Sequence, residues 1–338
     1  MKILIAGLGS IGRRHLRNLL ALGERDIVLY RTRRAVSNPD PLFAEIESGT
    51  FPVETDLQSA LAHRPAAVII ANPTALHLDV ALPAAAAGCH LLLEKPISHS
   101  LERIDQLESA AARSGSRILV GFQFRFHPTL QRLEQLLTPH GDDLSLPAPS
   151  SSVGRPLSVR AQWGEYLPDW YPWEDYRQGY AARPDLGGGV LLTLCHPFDY
   201  LRWLFGEYEI ASSLVSNLGL GLPVEDTAEV TLRFASGLLG SLHLDYLQRP
   251  PQHTLSIVTT QGAVRWDNAD GALQLYSVSQ RQWLPSISPS PDFERNTMFL
   301  DQMRHFLAVC RGQAEPLCTL QDGRRALELA LAARRLAA

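Results

Sequence analysis

Short apolar runs and helical spacings alternate along the first third of the chain. The runs KILIAGLG (2–9), DIVLYR (26–31), AAVIIAN (66–72), HLLLEKP (90–96) and RILVGFQF (117–124) are rich in branched aliphatics and bounded by polar or turn-forming residues, which predicts strands. Between them, IGRRHLRNLLALG (11–23), ALHLDVALPAAAAG (75–88) and SLERIDQLESAAARSG (100–115) carry apolar positions at helical intervals. Strands and helices in turn imply right-handed crossovers and therefore a doubly wound parallel sheet.

Further on the pattern changes. PLSVRAQWGEY (156–166), EIASSLVSN (209–217), DTAEVTLRFAS (226–236), LLGSLHLDYLQ (238–248), HTLSIVTT (253–260) and AVRWDN (263–268) read as successive strands. Turn chemistry at Ala235-Ser236-Gly237 and Gln261-Gly262 makes that sheet antiparallel, with one face packed on helices. Two helical patterns close the chain, near 295–311 and 321–336. The segment TPHGDDLSLPAPSSSVGRP (138–156) is rich in proline and serine, and composition alone places a domain boundary there.

The length of 338 residues suits two domains, each with its own core. A net charge of −4 without a basic stripe argues against nucleic acid as a partner. The cysteines Cys89, Cys195, Cys310 and Cys318 form no CxxC pair and no spaced Cys/His set, so reduced thiols are expected in place of disulfides or zinc. No run of about 18 apolar residues offers a membrane span. MKILIAGLG has the lysine and apolar run of a leader, but the run is short and glycines and Arg13-Arg14 follow, so a strand is expected. These features together predict a cytoplasmic protein.

Gly7-Leu8-Gly9-Ser10-Ile11-Gly12 is a GxGxxG between a predicted strand and a predicted helix. Gly7 suits a tight turn, Gly9 lets backbone approach a pyrophosphate, and Gly12 lets helix pack on strand. The helix N-terminus, with Ser10 and Ile11 in its first turn, then offers free N–H groups to the phosphates. A site selecting NAD(H) carries an acid at the end of the second strand to hold the ribose diol. Here that strand ends LYRTRR, and Arg31, Thr32, Arg33 and Arg34 stand where the acid would be. Guanidinium forks suit a 2′-phosphate, so NADP(H) is the expected cofactor, with NAD(H) as the alternative. A solvated basic turn is the competing explanation of those arginines.

Glu94-Lys95-Pro96 follows the fourth predicted strand, on the edge where doubly wound sheets bind ligands. A lysine there can share a proton with a substrate hydroxyl or carbonyl. In this context the chain resembles the glucose–fructose oxidoreductase/inositol dehydrogenase (Gfo/Idh/MocA) family. The matching stretches are GLGSIGRRH (7–15), ANPTALH (71–77), EKP (94–96), GFQFRFHP (121–128), the GGGV…HxxD segment before YLRWLFG, and the ending NTMFLDQMRHFLAVCRG…PLCTLQDGRRALELALAA (296–333).

The resemblance implies a Rossmann dinucleotide-binding domain over 1–120. A substrate-binding and oligomerisation α+β domain with an open, mainly antiparallel sheet follows over 121–338, which moves the boundary back to Gly121. It further implies a homodimer or homotetramer and a small sugar-like substrate. It places Asn72, Pro73, Thr74, His77 and Glu94 along the cofactor, Lys95 at both nicotinamide ribose and substrate, and Gln123 and Arg125 on the nicotinamide side.

In GGGVLLTLCHPFDYL (187–201), helical spacing puts Thr193, His196 and Asp199/Tyr200 on one face, and Asp199 could orient the His196 imidazole. A buried core helix with tolerated polar groups is the plainer alternative. Family members usually show GGxLxDxGxHxxD. Here Thr193 takes the aspartate position, and the stretch to His196 is one residue shorter. Pro197, lacking an N–H, is expected to kink the helix and turn His196 into the cleft. The catalytic set is then Lys95, His196 and Asp199, with His196 preferred for the proton because it titrates near neutrality.

Upstream, Trp170, Tyr171, Trp173 and Tyr176 cluster beside Glu174, Asp175 and Arg177. Aromatic faces beside forked charges suit a sugar-like ligand, and an ordinary aromatic core loop explains them equally. Arg177 or Arg183 could bind a carboxylate or phosphate. The expected substrate contacts are Lys95, Trp163, Trp173, Arg177, Thr193, His196 and Asp199. No metal site is expected. The function these readings favour is hydride transfer between NADP(H) and a secondary alcohol or ketone of a sugar, polyol or sugar-acid derivative. The alternatives are a non-catalytic dinucleotide or sugar sensor, and non-redox sugar chemistry with bound dinucleotide.

Overall fold

The structure, a computed structural model, describes residues 1–32, 46, 48–138 and 153–337. The chain divides into two compact units. One comprises Met1–Gln123 with Arg295–Leu327, the other Phe124–Glu294 with Glu328–Ala338. The first unit thus extends three residues past the expected end of the Rossmann domain at 120, and the chain returns to it at Arg295.

The first unit is built on a six-stranded parallel sheet ordered β3-β2-β1-β4-β5-β6. Its strands are β1 (Ile3–Ala6), β2 (Ile27–Tyr30), β3 (Val53–Glu54), β4 (Ala67–Ile70), β5 (His90–Leu93) and β6 (Ile118–Val120). β1 and β4 are buried at every position, as strands covered on both faces must be. The crossovers carry α1 (Ser10–Ala21), α2 (Leu57–Ala62), α3 (His77–Ala86) and α4 (Ile104–Ser114). Pattern reading missed β3 and α2, because a two-residue edge strand and a six-residue helix are too short to show a period.

The second unit opens with α5 (Pro128–Leu137), which pattern reading left unassigned. Its sheet has eight strands: β7 (Pro156–Gly164), β8 (Tyr208–Ser216), β9 (Thr227–Phe234), β10 (Leu239–Asp245), β11 (Gln252–Thr259), β12 (Gly262–Asp267), β13 (Leu273–Ser277) and β14 (Gln282–Trp283). The order is β14-β13-β12-β11-β7-β10-β9-β8, antiparallel except for the parallel β7–β10 pair. β9 and β11 alternate buried and exposed residues, so one face lies on the core and the other is open.

α6 (Val190–Thr193) and α7 (His196–Phe205) lie between β7 and β8 in the chain. α8 (Arg295–Cys310) packs on α1, and α9 (Leu320–Leu336) ends the chain. Among the described residues no helix is long and apolar enough to cross a membrane.

Candidate functional site

In the parallel sheet β1, β4 and β5 are neighbours in register at Ala6, Ile70 and Leu93, so the loops that follow them emerge side by side at the C-terminal edge. After β1 comes the glycine turn. Gly7 has φ +96°, and a Cβ there would lie 2.5 Å from the Asn72 nitrogen. A Cβ on Gly12 would meet the Gly7 carbonyl at 1.9 Å. Both positions therefore require glycine for close packing. Gly9 differs: it is exposed, and a Cβ there would meet no atom within 4 Å. Gly9 caps α1 without a side-chain hydrogen bond, and the first turn holds no acid. With the half-buried Ser10 and Ile11, Gly9 forms a helix N-terminus with open space beside it, which fits a pyrophosphate.

β2 ends at Tyr30. Arg31 is half-buried, Thr32 is exposed, and Arg33 and Arg34 lie outside the described residues. After β4, Asn72 Nδ2 donates to the Leu76 carbonyl (2.9 Å), Pro73 is half-buried and Thr74 is buried. His77 is 2 % exposed, and its ring nitrogens both face carbonyls, Nδ1 that of Pro96 and Nε2 that of Asn72, each at 2.9 Å. Burial holds its pKa below the ordinary histidine value. His77 thus lies between two backbone loops, one of them the motif that carries Lys95, and its neutral ring donates to one of the two carbonyls.

Glu94 is also buried. Burial pushes its pKa up, but the hydrogen bond from His15 and the charges of His15, Lys95 and His77 outweigh it, and the net shift is downward. The carboxylate accepts from His15 Nε2 (2.8 Å) through Oε1 and from the Lys95 backbone N–H (3.3 Å) through Oε2. Lys95 is half-buried and is followed by a cis Lys95–Pro96 bond.

In the second unit the expected continuous helix over 187–201 is replaced by two. α6 stops at Thr193, Leu194 and Cys195 break the ladder, and α7 begins at His196. Pro197 then sits in the first turn of α7, where its missing N–H costs nothing, so the predicted kink at an interior proline does not form. The break sends Thr193 and His196 to different neighbours. Thr193 is buried on the side of Tyr246. The Tyr246 hydroxyl donates to the Ala181 carbonyl (3.3 Å).

His196, 2 % exposed, lies edge-on to Phe124 (5.0 Å between ring centres) and tilted against Trp163 (5.4 Å). Trp163 stacks flat on His253 at 4.3 Å and an interplanar angle of 1°. Tyr200, one turn after His196, hydrogen-bonds His253 Nε2 (3.2 Å), and burial raises its pKa, so its hydroxyl stays protonated. His127 stacks on Phe124, and burial pulls its pKa down to about 4. Its neutral ring faces the Thr129 hydroxyl (3.1 Å), which donates to Gly271 O and accepts from Trp266 Nε1.

Asp199, expected beside His196, is gripped by Arg125. Nε donates to Oδ2 at 3.0 Å and Nη2 to Oδ1 at 2.7 Å, with both side chains buried. Arg125, expected at the nicotinamide, is therefore committed to a fork with a carboxylate; Gln123 is buried two residues before it. Of the aromatic stretch, Trp173 is 55 % exposed and pairs edge-on with Tyr171 (5.9 Å). The exposed Arg177 lies over its neighbour Tyr176 (4.6 Å) and faces Asp175 (3.4 Å), while Arg183 is forked with Asp185.

Two family models match the chain. Residues 1–122 match the oxidoreductase family with an NAD-binding Rossmann fold, and residues 149–265 match the GFO/IDH/MocA C-terminal domain. The chain belongs to the GFO/IDH/MocA oxidoreductases. An uncharacterized oxidoreductase of Synechocystis sp. is 34% identical over 188 residues, covering 50% of this chain but only 46% of that protein. Myo-inositol 2-dehydrogenase of Thermotoga maritima is 25% identical, covering 99% of this chain and 96% of its own. Among solved structures, levoglucosan dehydrogenase in complex with NADH and levoglucosan superposes with a TM-score of 0.82 at 20% identity, over 100% of this chain and 97% of that one.

Within this GFO/IDH/MocA chain, sequence reasoning reached Glu94, Lys95, His77 and His196 and put Tyr200 on the face of His196, but gave no role to His15, His253 or Phe124. His15 carried a signal in hindsight: it is three residues past Gly12, one helical turn along the helix that packs on the sheet. His253 carried none, because its partners Trp163 and Tyr200 are far from it in sequence.

Proposed function

We propose that this chain is an NADP(H)-dependent oxidoreductase acting on a secondary alcohol or ketone of a sugar, polyol or sugar-acid derivative. The observation that carries the reading is the C-terminal edge of the parallel sheet. There an uncapped helix N-terminus opens onto space at Gly9, and Lys95 follows β5, two strands from β1. Lys95 is one of only two lysines in the chain, the other being Lys2, while arginine supplies the remaining positive charges. An arginine cannot give up its proton near neutral pH and a lysine can, so lysine chemistry is what this position needs.

The bound dinucleotide would supply hydride chemistry; Gly7, Gly9, Ser10, Ile11 and Gly12 would hold its pyrophosphate, and Arg31 with Arg33 and Arg34 a 2′-phosphate. Asn72, Pro73 and Thr74 line the next loop of the same edge. Lys95 and His196 are each assigned the substrate oxygen's proton, His196 first. Trp173 and Arg177 are exposed for hydroxyl or anionic groups, whereas Trp163 is buried against His253 and His196 and lends the substrate no open ring face. Relatives named as sugar and polyol dehydrogenases support the substrate class. The same reading includes a homodimer or homotetramer.

The test is a panel of sugars and sugar acids followed by NADP(H) absorbance, with both cofactors compared. NADP is expected to give the higher kcat/KM, Arg31→Asp to reverse much of that preference, and His196→Ala to lower kcat by about 100-fold or more. Equal kcat/KM for NAD and NADP, unmoved by Arg31→Asp, overturns the cofactor assignment. Full turnover by His196→Ala overturns the proton assignment. Binding of NADP without turnover across the panel would favour a sensor.

A further inference from the structure

Lys95 is flanked on both sides by groups held by buried histidines of the same unit. On its N-terminal side is Glu94, whose carboxylate takes His15 Nε2 at 2.8 Å and the Lys95 N–H at 3.3 Å. On its C-terminal side is the Pro96 carbonyl, which faces His77 Nδ1 at 2.9 Å. His15 is 0 % and His77 2 % exposed, so neither ring is there to serve solvent. A buried ionised carboxylate is tolerated only with its oxygens hydrogen-bonded, and here the donors are a helix side chain and the lysine's own backbone. Gly121 leaves the room, since a Cβ there would come within 3.0 Å of Glu94 Oε2.

We propose that His15, Glu94 and His77 are positioning residues that clamp the backbone of Lys95 and so set the pose of its amine. The proposal rests on the role assigned to Lys95 above. His15 stands on α1, whose N-terminus forms the glycine cradle, and His77 begins α3 after the Asn72 loop. His77 therefore ties the lysine to the loop after β4, its neighbour on the sheet edge, and His15 ties it to α1, which follows β1 two strands away. A lysine side chain has four rotatable bonds, and only a fixed backbone makes its reach reproducible. This explains why the motif's glutamate is buried under the sheet edge instead of facing a ligand.

The scarcity of lysine makes the pose measurable without substrate. A limiting amine-acylating reagent on the full chain labels Lys95, Lys2 and the Met1 α-amine, and fragment-resolved peptide mass spectrometry separates Lys2 from Met1 and gives the ratio of the Lys95 and Lys2 rates. Glu94→Gln and His15→Leu are expected to raise the Lys95:Lys2 ratio about twofold or more, and to lower kcat about tenfold with KM within about twofold, since a misplaced reacting group costs rate more than binding. His15→Gln, whose amide can still donate to Glu94, should restore most of both. His77→Asn should raise the same ratio from the other side of the lysine.

If His15→Leu does not fold, the shape-conserving Glu94→Gln carries the test. An unchanged ratio in folded Glu94→Gln and His77→Asn overturns the clamp, as does a loss confined to dinucleotide affinity. A changed ratio in a protein that reduces or oxidises nothing in the panel would keep the clamp and sink the oxidoreductase role of Lys95, so the two failures are distinguishable.

Discussion

At the scale of single residues, the glycine turn separates two reasons for the same amino acid. Gly12 is required by packing, because its Cβ would sit 1.9 Å from the Gly7 carbonyl. Gly9 is not: nothing lies within 4 Å of where its Cβ would be. If the space at Gly9 is for phosphate, Gly9→Ala should leave the thermal midpoint nearly unchanged and weaken dinucleotide binding. Gly12→Ala should lower stability by about 1–3 kcal/mol through overpacking, whatever is bound. Differential scanning calorimetry alongside a fluorescence titration with NADPH separates them. Equal dinucleotide affinity in Gly9→Ala would remove the cradle argument.

At the scale of elements, β9 and β10 meet through a histidine between two acids on the open face of the sheet. His243 Nδ1 donates to Glu229 Oε1 (2.6 Å) and Nε2 to Asp245 Oδ2 (2.8 Å), and Asp245 Oδ1 also accepts the N–H groups of Leu247 and Gln248. The hydrogen bond to Asp245 leads a set of interactions that raise the His243 pKa to about 8 against the opposing effect of burial. The folded state therefore binds more protons than the unfolded state between the ordinary value of 6.5 and about 8. Its stabilisation is complete below 6.5 and is lost as pH rises through about 8. Thermal midpoints measured across that window should fall with pH, and His243→Gln should flatten that part of the slope. A slope identical in the variant would show that the pair of acids does not hold the imidazolium.

At the scale of the whole molecule, each unit is assembled from two separate stretches of chain. In the first unit the returning segment is bound closely. Asn296 donates to Asn18 (2.9 Å), the Val120 N–H to the Cys318 carbonyl (2.9 Å), and Arg324 to Asp105 (2.6 Å). In the second unit the open sheet face carries Leu239 (57 % exposed) and Val258 (50 % exposed), both paired in register with Ser158 of β7 between them. An exposed apolar pair in the middle of a long sheet is a natural seat for a second copy. Sedimentation should accordingly give at least twice the 37.4 kDa of one chain, and Leu239→Arg with Val258→Arg should return it to one. A monomer in the unsubstituted protein would overturn that assembly.

Local patterns determined much of this protein. β1, β2 and β4 to β6 of the parallel sheet, β7 to β12 of the second sheet, the glycine turn and the lysine after β5 were legible, because strand period, turn chemistry and a phosphate cradle are properties of neighbouring residues. β13 and β14 escaped that reading. The short β3 and α2 were not, being below the length at which a period can be seen. Tertiary structure alone decided three things. It split 187–201 into two helices, since Pro197 is harmless in a first turn and costly inside a helix. It gave Asp199 to Arg125, 74 residues away in the chain. It also brought His15 to Glu94 across 79 residues. A buried charge must find its partner wherever the fold supplies one, and that choice has no signature in the residues beside it.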